Sequence, residues 1–233
     1  MLLVAASNVA LNRAVPRRFE IPAGLCAGGA MLLLAKRVGA NATRQGLSGS
    51  AAPRGLRVGA AVAAPISAAM LLGAALPVSR HFYENEAVLG GSAGDLAYQW
   101  LARIPLATAV TEELVFRSGL EGILVLRRAP VQAALISATL FGAWHVLPTI
   151  DRMQANTAAL DKRGSMPRER ARVLVTAVAA TSVASLGLSW LRDRTQSVIA
   201  PIIVHAAVNI SGMLGVWLAA RLSQRAAGLS PHR

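Results

Sequence analysis

Thr111-Glu112-Glu113-Leu114-Val115-Phe116-Arg117 sets two acids and a base into a run, Leu101 to Val125, that is otherwise rich in Leu, Ile, Val and Ala. A helix of that length crosses a hydrocarbon core of roughly 30 Å. An ionisable side chain at such depth costs several kcal/mol, so these residues stay rare unless they face a protein interior and act there. On an α-helix Glu113 and Arg117 are four apart and share a face, while Glu112 points about 100° away. Arg117 therefore neutralises Glu113 and leaves Glu112 as a carboxylate with no local partner. Glu121, one further turn on, is placed to join the Glu113–Arg117 ladder.

The rest of the chain sets this run in a membrane. Of 233 residues, 54% are hydrophobic and 15% charged, and the mean hydropathy is +0.48. Apolar residues fill whole segments instead of stripes, which predicts an all-α, polytopic transmembrane helix bundle of about six to eight helices and not a soluble core. One membrane-embedded domain, residues 1–233, is the default at this length. The net charge of +13 suggests nucleic acid in a soluble protein, but here the basic residues sit mostly between apolar runs. Loops facing anionic lipid and cytoplasm explain them, and nucleic acid is not an expected partner. Cys26, the single cysteine, rules out an intrachain disulfide and a zinc–thiolate site; its apolar setting predicts a buried, inert thiol. The N-terminus has no basic flank before its first apolar residues, so insertion rests on the internal spans.

In chain order, residues 1–15 form an apolar stretch short of a full span, an interfacial helix or a marginal crossing. Ile21–Ala35 is a short span in which Gly24 and Gly28 permit close packing. Residues 38–57 read as a basic loop, and Val58–Val78 as a span with a kink at Pro65. Residues 79–95, with Glu84, Glu86, Asp95 and Gly90, Gly91 and Gly94, read as a flexible acidic loop. Val131–Leu147 is a span closed by Pro148, and residues 149–172 a long charged loop. Val173–Leu191 and Ser197–Leu222 are the last spans, and 221–233 is a frayed basic tail. Trp100, Trp190 and Trp217 lie towards span ends, as headgroup anchors do. Cytoplasmic placement of the basic 36–57 loop sends the net-basic 149–172 loop outside, so the positive-inside rule conflicts with itself here.

Three spans carry residue pairs at helical spacing: Glu113 with Arg117, Phe141 with His145, and His205 with Asn209. Each i, i+4 pair presents both members on one face. Brought into one bundle with Glu112, they supply a carboxylate, two imidazoles and a carboxamide in an apolar cavity. A desolvated carboxylate near a histidine holds and deprotonates water. A second histidine and an amide suit a developing oxyanion. Water attack on a carbonyl, with a peptide bond as substrate, is the reaction class that follows. The plainer reading treats each pair as polar glue between helices.

Glu112-Glu113-x-x-x-Arg117, Phe141-x-x-x-His145 and His205-x-x-x-Asn209 match, in order, the three motifs of the CPBP intramembrane proteases. The chain thus resembles the type II CAAX prenyl endopeptidases and their abortive-infection and bacteriocin-processing relatives. The approach to the third motif, Arg194-Thr195-x-Ser197-x-x-x-Pro201-Ile202, is similar too. The resemblance covers about residues 98–215, which it marks as the catalytic core. It implies that Glu112 activates water with His145 as partner, and that His205 and Asn209 hold the oxyanion. Glu113 and Arg117 are then structural or substrate-orienting, and Phe141 shapes the pocket. A Glu with two His is a conceivable zinc set, but the glutamate mechanism and the amide in the fourth position favour a site without metal or other cofactor. The implied partners are membrane lipid and a peptide or protein substrate, lipid-modified or membrane-anchored. High Ala and Arg content hints at a bacterial cytoplasmic membrane.

Two other classes compete. Buried Glu, Arg and His also mark ion pathways, which makes a proton- or ion-coupled transporter the main alternative, although the chain has no internal repeat. A silent membrane scaffold is the other. Gly46-Leu47-Ser48-Gly49 has the look of a serine-protease motif but falls in a polar loop, and reads as turn residues.

Overall fold

In hydrocarbon a chain must satisfy its own backbone polar groups, and a helix does so within one segment. The computed structural model describes residues 1–83, 92–159 and 167–226, and these are helical nearly throughout. Among them the only extended pairing is an isolated bridge between Leu47 and Ser197. The elements are α1 (Leu2–Val9, prolonged by a π turn, Ala10–Ala14), α2 (Glu20–Arg37), α3 (Ala52–Ala75), α4 (residues 93–124), α5 (Pro130–Trp144), α6 (Val146–Ala159), α7 (Pro167–Thr195) and α8 (Ile199–Ala226).

Among the described residues, five helical stretches are long and apolar enough to cross a membrane: Arg17–Arg37, Gly49–Ala75, Pro130–Gln154, Pro167–Thr195 and Ile199–Ala226. Large apolar side chains point outward from them and from α4, with Val183 70% and Leu101 80% exposed. Water would penalise such a surface, and lipid does not. The chain is an integral membrane protein with an all-α bundle. Helix α4 is of comparable length, and its charged middle is buried: Glu112, Glu113, Arg117 and Glu121 are all enclosed.

The 38–48 loop, the end of α4 and the α7–α8 turn meet at one end, where Val198 N–H donates to the Gly46 carbonyl at 2.9 Å and Arg192 reaches the Arg44 carbonyl. At the other end Arg103 pairs with Glu20 at 2.5 Å and Arg13 with Asp151 at 2.8 Å. Helix α8 lies along α3, α7 along α5, and α2 along α4. The α2–α4 seam uses the two glycines singled out from sequence. A Cβ on Gly24 would strike the Thr111 side chain, and one on Gly28 would stand 3.0 Å from Leu114 Cβ.

Several expectations are corrected. Residues 149–172 are not one loop: α6 runs through Pro148 to Ala159, and α7 begins at Pro167. Proline is tolerated in a first helical turn, where its missing N–H is not needed, so Pro148 does not stop the chain. Asp161, Lys162 and Arg163 lie outside the described residues. Helix α3 starts at Ala52, six residues before the expected span, with proline again in its first turn. Cys26 is exposed, not buried. Helix α2 turns Gly24, Gly28, Met31 and Ala35 inward, and a helix apolar all round gives no signal of which face that will be. In the 79–95 stretch, Tyr83 Oη donates to the Met70 carbonyl at 2.8 Å, and Ser92 with Asp95 forms a capping box that starts α4. The Ser92 hydroxyl holds the Asp95 carboxyl below its usual range. Glu84, Glu86, Gly90 and Gly91 lie outside the described residues. Helix α8 carries the start of the basic tail as far as Ala226, and residues 227–233 lie outside the described ones.

Candidate active site

Helix α4 is not uniformly α-helical. Residues Gln99–Val110 and Leu114–Leu120 are wound as π-helix on either side of α-helical Thr111–Glu113. Pro105 removes one backbone donor, and Thr111 Oγ1 donates to the Leu106 carbonyl at 3.0 Å. Wider π turns are common at functional sites, and here they flank both glutamates.

Glu113 is fully buried and faces a partner on each oxygen. Its Oε2 stands 3.2 Å from Arg117 Nε, off the hydrogen-bond direction, and its Oε1 accepts from His205 Nδ1 at 2.8 Å. Arg117 is fully buried as well. Its Nη2 donates to Ser185 Oγ at 2.7 Å, and its guanidinium lies 4.4 Å from the Phe141 ring centroid. The expected ion pair is therefore present. Glu121 does not extend it by a direct bond and instead accepts from Ser189 Oγ at 2.5 Å.

Glu112 faces elsewhere. Its Oε1 accepts from Trp144 Nε1 at 3.2 Å. Its Oε2 accepts no hydrogen bond from any described residue, yet stands 3.9 Å from His145 Nε2 and 3.8 Å from His205 Nε2. These separations exceed a direct hydrogen bond and suit three groups that share one small molecule.

The His145 ring is set by a break in the backbone. Its own N–H bonds to the Gly142 carbonyl at 3.1 Å, so the Phe141 carbonyl is free to accept from His145 Nδ1 at 2.8 Å. A carbonyl only accepts, which places a proton on Nδ1 and aims the other nitrogen, Nε2, at Glu112. Phe141 contacts both imidazoles, with ring centroids 4.7 Å from His145 and 5.9 Å from His205. His205 Nδ1 likewise carries the proton it gives to Glu113, so Nε2 can donate as well only in the imidazolium form. Asn209 lies one turn beyond His205 on α8, half-buried, with no hydrogen bond among the described residues.

Of the residues singled out from sequence, Glu112, His145 and His205 thus converge on one point. Glu113, Arg117 and Phe141 surround it, and Asn209 is one turn away. Trp144 and Ser185 were not anticipated. Trp144 gave no signal that set it apart, since it falls near the end of the expected Val131–Leu147 span much as Trp190 falls near the end of its own. Ser185 had none either, being one of several serines on α7. Among the described residues no group of three or more His, Cys, Asp and Glu is arranged to hold a metal ion. Residues 93–211, just over half of the chain, match a family described as type II CAAX prenyl endopeptidase Rce1-like. No curated protein and no solved structure matches the chain.

Proposed function

The chain belongs to the Rce1-like family of type II CAAX prenyl endopeptidases, and from that premise we propose that Glu112 is the base of a metal-free peptide hydrolysis within the membrane. At the level of the family the protein is a CAAX-type intramembrane protease acting on a peptide or protein in the membrane. The observation that carries the finer reading is the free Oε2 of Glu112, with two imidazole nitrogens at 3.8 and 3.9 Å.

A water molecule held between Glu112 Oε2 and His145 Nε2 gives its proton to the carboxylate as its oxygen attacks the substrate carbonyl. The carbonyl oxygen becomes an oxyanion, which His205 Nε2–H and the Asn209 amide stabilise. When the C–N bond breaks, Glu112 returns the proton to the leaving nitrogen, and the products are a carboxylic acid and an amine. Glu112 and Glu113 balance Arg117 and a His205 imidazolium, so the buried set carries no net charge before reaction. Glu113 is then the partner that sustains the His205 cation, a more specific role than general structural support. The substrate is membrane-anchored or lipid-modified, residues 98–215 act as the catalytic core of one membrane domain, and the setting is a bacterial cytoplasmic membrane.

The test uses purified full-length protein in lipid vesicles with an internally quenched, prenylated CAAX peptide and its unprenylated twin. His145→Ala is expected to abolish cleavage while the melting temperature holds, and wild-type cleavage is expected to survive exhaustive chelation. Loss of cleavage on chelation would replace this chemistry with a metal-dependent one. Voltage- or pH-driven solute uptake without cleavage would make the protein a carrier instead.

A further inference from the structure

The geometry points to Trp144 and Asn8 as positioning residues for Glu112, with the N-terminal helix α1, which precedes the family-matched residues, completing the active site. The inference rests on the reading of Glu112 as the base.

It begins with Pro148. In a continuous helix the Trp144 carbonyl would accept from the N–H four residues on, and proline has none. The helix breaks there: α5 ends at Trp144, His145 sits at φ −83°, ψ −2°, and α6 starts at Val146. A buried carbonyl left without a donor costs free energy comparable to a lost hydrogen bond. The missing donor comes from elsewhere in the chain, as Asn8 Nδ2 reaches the Trp144 carbonyl at 2.9 Å, and both residues are buried.

Asn8 is itself held. Its own carbonyl accepts from Asn12 Nδ2 at 2.8 Å, and Val4, one turn earlier, packs in one core cluster with Phe116, Phe141 and Trp144. Arg13 ties the end of this segment to Asp151 on α6, on the far side of the break. The short apolar stretch at the N-terminus is thus neither a crossing nor a free interfacial helix. It docks against the break that carries His145.

From Trp144 the connection runs to the carboxylate. The indole stands edge-on to Phe116, with centroids 5.4 Å apart and planes at 89°, and its Nε1–H reaches Glu112 Oε1. One oxygen of Glu112 is therefore occupied, and the carboxylate is turned so that the other faces both imidazoles. Without that bond the carboxylate is free to rotate about its last torsion, and the geometry for water is lost part of the time.

The experiment combines a spectroscopic readout with kinetics on the full-length protein. With 15N-labelled indoles, Trp144→Phe identifies the Trp144 Nε1–H resonance by its disappearance. Asn8→Asp, nearly isosteric and with no donor when ionised, is expected at alkaline pH to move that resonance, as Glu112→Gln does, while those of Trp100, Trp190 and Trp217 stay in place. With the quenched CAAX peptide, Asn8→Asp and Trp144→Phe are each expected to lower kcat about 10-fold with KM within about 2-fold. The double variant should be no slower than Trp144→Phe, since Asn8 acts through the indole. An unmoved indole resonance in folded Asn8→Asp, wild-type kcat in that variant, or losses that multiply would overturn the inference. Should Glu112→Gln keep its cleavage, the base reading fails, while the indole shift still reports on the link itself. Should Trp144→Phe not fold, Asn8→Asp with the resonance assigned by other means decides alone.

Discussion

Glu112 and Glu113 are neighbours in sequence, share one helix, are both buried and each accept one hydrogen bond, yet they differ in what faces the second oxygen. Glu113 has the Arg117 guanidinium 3.2 Å from one oxygen and accepts from the His205 ring on the other. Glu112 has an indole N–H on one oxygen and no direct bond on the other. Depth in the membrane thus does not tell the two carboxylates apart; what stands opposite the second oxygen does, a guanidinium for Glu113 and two imidazole nitrogens for Glu112. The Glu113 side, with Arg117, Ser185 and the Phe141 ring, behaves as a fixed electrostatic frame. The Glu112 side is the part with capacity to bind something more.

If that contrast holds, the largest stability effects belong to the frame. Arg117→Ala leaves a buried carboxylate short of its main cation, and a loss of about 3–5 kcal/mol is expected, read as a fall in melting temperature in mild detergent. Ser185→Ala removes a bond to a buried charge and should cost about 1.5–3 kcal/mol in the same assay. Overpacking the seam that presents the glutamates comes next. Gly28→Leu is expected to cost about 1–3 kcal/mol, whereas Gly29→Leu, with nothing within 4 Å of its Cβ position, should be neutral. Equal losses at both glycines would show that the α2–α4 seam does not hold the site. The smallest effect is at the edge of the bundle. Ser92 holds the Asp95 carboxyl below its usual range, so the cap is fully in place above about pH 4 and is lost as pH falls through the lower folded-state value. Hydrogen exchange of residues 93–98, corrected for intrinsic rates, should rise only in that acidic window, and Ser92→Ala should exchange fast throughout.

Much of the frame was legible in the sequence because its residues interact along helices. A spacing of four brings Glu113 to Arg117 and Phe141 to His145, and small residues at Gly24 and Gly28 permit close approach whatever the rest of the fold does. What escaped depends on contacts between elements far apart in the chain. Asn8 reaches Trp144 only because α1 folds back onto α5, and Ser189 rather than Arg117 bonds Glu121 because α7 passes on that side. Cys26 faced outward for a related reason, since an evenly apolar helix does not announce its inner face. Pro148 misled in a different way. Proline reads as a stop, but within a first turn it is compatible with a new helix, and the break it causes lies before it, at His145. The π winding of α4 left no pattern that a helical period could detect.

The central claim is tested most directly by comparing Glu112→Gln with Glu113→Gln, near-isosteric changes at adjacent positions, for peptide cleavage and thermal stability. Glu112→Gln is expected to lose at least about 100-fold in cleavage rate with an unchanged melting temperature, while Glu113→Gln loses several degrees. Cleavage at the wild-type rate in Glu112→Gln, or equal destabilisation by the two changes, would contradict the account.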